Sequence, residues 1–221
     1  MRFLFALVFG AIAPAVASFP ASAQTPVVVP QTDAPPTELS GPIRAVMATG
    51  GQSVDIGGKT LEFWWVRGLP LEGATGEVSW AAVQEGTIVG AVRLSAPYHD
   101  IRGKGVGAGV YTLRYALQPE NGDHLGVSPY REFLLLAPAR VDAGAAALSH
   151  DEAVNLAKQA NGTSHPAAWS LDPPIAATDP GTVYTNDTGL KGVVFSVPVS
   201  RAGKAPGMMR FGLILAGTIQ P

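Results

Sequence analysis

The histidines are the side chains best suited to chemistry near neutral pH, because imidazole both exchanges protons and binds metals. There are four, His99, His124, His150 and His165, and the chain has no cysteine. Thiolate zinc sites are therefore excluded, and a zinc or copper centre would need three imidazoles, or two with a carboxylate. No His-x-His and no His-Glu-x-x-His occurs, so any such centre is assembled from distant segments. The candidate ligands are His99 and His124, which flank a predicted strand at Val110 to Leu117, and His165, in the loop after a predicted helix. His124 and His165 are the easier pair, since Gly122 and Gly162 free both loops, with Asp123 or Asp100 placed to orient an imidazole. His150 opens the helix and reads as a polar helix start. No cofactor other than zinc or copper is expected.

A hydrolase is the second chemistry to weigh. His99 precedes Asp100 and His124 follows Asp123, but sequence neighbours on a strand point to opposite faces, so adjacency does not build a dyad. No Gly-x-Ser-x-Gly elbow is present. The glycine-rich run Arg102 to Gly109 leads into a strand rather than a helix N-terminus, which removes the feature a phosphate loop needs. Aromatic side chains are the third candidate. Trp64, Tyr98 and Tyr130 are the expected ligand-stacking surface; Trp64 falls opposite Leu61, Phe63 and Trp65, whereas Trp65 and Trp80 suit the core.

The elements that must position these residues are mostly strands. Tyr111, Leu113, Tyr115 and Leu117 alternate with Thr112, Arg114 and Ala116, which predicts a half-buried strand with the second set facing water; Asn121-Gly122-Asp123 then turns the chain into the apolar run Phe133 to Leu136. Further strand patterns cover Ile43 to Met47, Ser53 to Ile56, Leu61 to Trp65, Val78 to Ala82, Ile88 to Leu94, Val193 to Val199 and Met209 to Leu215. Each strand with its turn takes roughly ten residues, punctuated by glycine and proline. Ser149 with Glu152 fits a capping box, and Ala153, Leu156, Ala157 and Ala160 share one face, predicting a helix over Asp151 to Ala160. Residues 137–147 read as a mobile connection, and residues 163–180 as a loop plugged by Trp169.

Arg2, the apolar stretch Phe3 to Ala17 and Ala21-Ser22-Ala23 match a signal peptide over residues 1–23, cleaved before Gln24. Residues 24–41 form a Pro/Thr-rich leader, of which Val27 to Val29 could add an edge strand, and residues 42–221 a single domain. The expected location is periplasmic or secreted, with no membrane span after cleavage. A formal net charge of -2 without a basic stripe argues against nucleic acid as a partner. Hydrophobic residues at 47% against 14% charged indicate an ordered core, and Gly 26 with Pro 19 favours short strands over long helices.

Gly109-Val110-Tyr111-Thr112-Leu113 resembles the Gly-x-Tyr-x-Leu opening of a strand in immunoglobulin-like and prealbumin-like modules. Asp123 to Ser128 with Gly162 to Pro166 resembles segments of exported bacterial β-sandwich proteins, a group with no activity to carry over. The resemblance implies export and an all-β, antiparallel β-sandwich with one short peripheral helix. The expected function is a non-enzymatic module that binds a protein or small ligand through its loops. A histidine-based zinc or copper protein and a periplasmic hydrolase are the alternatives.

Overall fold

Alternation of apolar residues favours a sheet for most of these segments, since it gives each strand an apolar face to cover. The computed structural model describes residues 25–119, 130–173 and 178–218. Its strands are β1 Val27–Gln31, β2 Gly51–Ile56, β3 Lys59–Trp65, β4 Leu69–Pro70, β5 Ile88–Leu94, β6 Tyr98–His99, β7 Gly105–Val106, β8 Gly109–Leu117, β9 Glu132–Pro138, β10 Ala168–Asp172, β11 Val183–Thr185, β12 Lys191–Ser200 and β13 Gly207–Ala216. Two α-helices, α1 Gly41–Val46 and α2 His150–Lys158, accompany them.

Eleven strands share one sheet in the order β1-β2-β3-β5-β8-β9-β10-β13-β12-β11, with β4 beside β12. Neighbours are antiparallel except β4 and β12, which run parallel. The turn at Gly57-Gly58 sets the β2–β3 register, with φ of 62 and 78° at the two positions, a conformation glycine adopts at little cost. At β10 the sheet turns a corner: Ala168, Trp169 and Ser170 pair with β9, while Leu171 and Asp172 pair with β13. The two halves curl to face each other, and Phe63, Trp65, Trp169, Phe195 and Phe211 meet between them.

The chain is mostly β, as expected, although β4 makes the sheet mixed rather than purely antiparallel. The sandwich, immunoglobulin-like or prealbumin-like, is not confirmed, because β10 carries the hydrogen-bonded ladder from one half to the other and makes a single curled sheet, a half-barrel. The expected helix forms at His150–Lys158 with both halves of its capping box in place. Val27 to Val29 do add an edge strand, β1, against β2.

Three local expectations are corrected. Ile43 to Met47 is not a strand: the Ser40 hydroxyl accepts from the Ile43 amide and Pro42 sits in the first turn, so α1 forms and buries Ile43. Val78 to Ala82 is not one either, since Trp80–Ala82 is a 3-10 turn that stacks Trp80 on Tyr115, ring centres 5.1 Å apart. Trp169 belongs to the corner strand rather than to a loop. The hairpin turn at Asn121-Gly122-Asp123 and the signal peptide lie outside the described residues. Among the described residues no helix is long and apolar enough to cross a membrane.

Candidate binding cleft

The outer face of β8 carries Thr112, Arg114 and Ala116, and none of them reaches water as the alternation had suggested. Arg114 is fully buried. Its Nε and Nη2 donate to the two carboxylate oxygens of Asp142 at 2.8 and 2.7 Å, and its remaining hydrogens go to the carbonyls of Gly86, Gly144 and Ala146. Thr112 Oγ1 donates to the same carboxylate at 2.5 Å. The connection after β9, expected to be mobile, is thereby pinned flat on the sheet. Gly86 is required where that connection crosses, because its φ is 79° and a Cβ there would overlap the Leu148 backbone.

The pinned connection delivers α2 onto the sheet. Ala153 and Ala157, both fully buried, let the helix approach Ala116, Phe133, Leu135 and Ala168 closely. The adjoining side of the helix carries His150, Val154 and Lys158, spaced i, i+4, i+8. Between that side and the sheet lies a cleft of about 250 Å³, floored by apolar residues of β8, β9 and β10 and rimmed by Arg102, Lys158, His165 and Ser164. His150 stands at one end, its Nδ1 2.6 Å from Glu85 Oε1, which also accepts the Leu117 amide.

The structure places the sequence candidates in different surroundings. His165 is exposed and lines the cleft together with His150, whose place in the sequence predicts only a polar helix start. His99 is exposed on the small β6–β7 hairpin and does not line the cleft. His124 lies outside the described residues. Asp100 is committed elsewhere: its carboxylate accepts the amides of Arg102 and Lys104 and the Arg102 guanidinium, the shortest contact being 2.6 Å. Among the described residues no three His, Asp or Glu side chains are grouped to hold a metal.

The aromatic candidates do not share a surface. Trp64 points away from the main core as its alternation required, yet it is fully buried, with its Nε1 donating to the Asp33 carbonyl and the Arg93 guanidinium 5.6 Å from its ring. The leader covers it. Tyr98 is buried against Trp169, its hydroxyl donating to the Leu215 carbonyl, and burial pushes its pKa up. Tyr130 is 39% exposed and lines a separate small hollow with Trp80 and Asp172.

Asp172, at the end of β10, is buried and accepts from the Tyr184 hydroxyl at 2.9 Å and the Asn186 amide at 3.3 Å. The Tyr184 ring lies across Gly192 and Gly212, where any Cβ would overlap it. Burial raises the Asp172 pKa above its ordinary value, against the lowering effect of these two hydrogen bonds. A raised folded-state pKa means the folded protein holds the proton more tightly, so this group's contribution to stability improves as pH falls through the folded value and levels off below the unfolded one. Asp172→Asn, which keeps an acceptor for Tyr184, should therefore be more stable than the parent at pH 7, with the difference shrinking towards pH ~4. Urea titrations at both pH values check this; a difference that does not vary with pH would contradict it.

Comparison with family models, curated proteins and solved structures gave no match. Fold and cleft thus define a class by structure alone: a mainly β protein whose curled sheet carries a ligand-sized cleft beneath one helix. The sequence did contain a signal for that cleft, in the row His150, Val154, Lys158 beside the buried row Ala153, Ala157 on one capped helix.

Proposed function

We propose that this protein is an exported, non-enzymatic module that binds a small ligand in the cleft between α2 and the outer face of β8, β9 and β10. The observation that carries the reading is the composition of the cleft, an apolar floor with a few polar groups converging at its rim, which is how small-molecule sites are built. The site also rests on rigid elements, since the Arg114–Asp142 contacts hold the segment that delivers α2. Export rests on the residues 1–23 pattern. A sandwich kinship of the immunoglobulin-like or prealbumin-like kind remains a proposal, supported by the two halves of the sheet facing each other across an aromatic core.

N-phenyl-1-naphthylamine, a neutral apolar fluorophore, tests the cleft. Its emission should rise to saturation with one site per chain, and Val154→Trp, which fills the cleft from the half-exposed side of α2, should weaken binding by at least about tenfold, the loss of 1.4 kcal/mol or more. Unchanged far-ultraviolet circular dichroism would show the variant folded. Equal affinity in the variant, or no saturable signal in the parent protein, would overturn the reading.

A further inference from the structure

The cleft is chemically asymmetric along the helix. His150, Val154 and Lys158 span about 12 Å at 1.5 Å per residue. The His150 end lies against Glu85 and Leu117. The Lys158 end lies over the start of β10, because the Ala167 amide donates to the Ala157 carbonyl at 3.2 Å and Arg102 Nη2 approaches the Ala168 carbonyl at 3.5 Å. Arg102, Lys158, Ser164 and His165 therefore gather at one end, and among the described residues no Asp or Glu lines the cleft. The Arg102 charge is offset by Asp100. Lys158 is half-buried and, among the described residues, has no hydrogen-bond or ion-pair partner.

An ammonium without a counter-ion at the rim of an apolar-floored cleft favours an anion that can replace lost water. The carbonyls at the end of α2 would oppose one. They are turned inward on the chain, however: the Ala157 carbonyl accepts from Ala160 and Ala167, and that of Lys158 from Gly162. Resting on the cleft reading above, we infer that the ligand is a medium-chain aliphatic monocarboxylate, its carboxylate at Lys158 and its chain running along Ala116, Leu135 and Phe133 towards Leu117. A span of ~12 Å takes about eight carbons in extended form. The cleft volume, below the ~300–1,000 Å³ of sites for drug-sized ligands, suits a molecule of that size.

Displacement of the naphthylamine probe by sodium octanoate and by 1-octanol, backed by direct calorimetry with octanoate, separates this inference from the broader one. Octanoate should bind at least about tenfold more tightly than octanol, and Lys158→Met should bring the two within about twofold. Butyrate should bind roughly two hundredfold more weakly than octanoate, since each buried methylene contributes about a fourfold factor. Equal competition by octanoate and octanol, or an octanoate preference unchanged in Lys158→Met, would overturn the carboxylate assignment while leaving the cleft intact. Absence of probe binding and of heat with octanoate would remove both.

Discussion

Arg114→Met should lower the unfolding free energy by about 3–5 kcal/mol, the largest loss expected from any single polar substitution in this protein. The guanidinium is fully buried and ties Asp142 and three backbone carbonyls to the outer face of β8. Methionine fills similar space but leaves the Asp142 carboxylate without its counter-ion and those carbonyls without donors, and unmade bonds of this kind cost more than the made ones contribute. Arg114→Lys should recover little, because an ammonium cannot reproduce the two-pronged contact. Removing the carboxylate as well, in Arg114→Met with Asp142→Leu, should return part of the stability. Urea titrations give all three values. A loss under about 1 kcal/mol for Arg114→Met would reduce the pair to the level of a surface ion pair. If the variant keeps its fold but the probe site weakens, the connection after β9 is also shown to position α2.

Trp65→Ala should cost about 3–5 kcal/mol as well, for a different reason. Trp65 projects from β3 in one half of the curled sheet, stacks on Phe63 at 5.5 Å, and meets Phe195 and Phe211 of the opposite half edge-on at 5.0 and 5.2 Å. Its Nε1 donates to Gln52 at 3.0 Å, so the ring is also held in orientation. Alanine would leave a void at the contact between the halves, where β12 and β13 cannot shift inward without breaking their ladders with β10 and with each other. At about 2–4 °C per kcal/mol for a domain of this size, the thermal midpoint should fall by roughly 6–20 °C. A midpoint within about 2 °C of the parent would mean that the aromatic cluster does not hold the two halves together.

Much of the fold was legible because period-2 patterning is a local property. β3, β5, β8, β12 and β13 all lie where alternation put them, and Ser149 with Glu152 announced α2 because the capping box is a contact between near neighbours. The failures have a common cause. α1 depends on burying Ile43 as much as on its Ser40 cap, Trp80 leaves a strand-like pattern to stack on Tyr115, and β10 forms because its two ends find partners in different halves of the sheet. Each is decided by residues distant in the chain.

The same distinction governs the candidate site. Composition and alternation determined that this is an ordered, mainly β chain without cysteine chemistry, and that Trp64 and Arg114 point away from the core side of their strands, since successive side chains on a strand face opposite ways. Whether an outward face meets water depends on what later crosses it. The leader covers Trp64, while the segment after β9 covers Arg114 and brings α2 down beside Phe133 and Leu135. His150 and His165 share a cleft, and His99 does not, for that reason alone: the cleft is a gap between elements, and no local pattern records the shape left between two surfaces that meet only when the chain has folded.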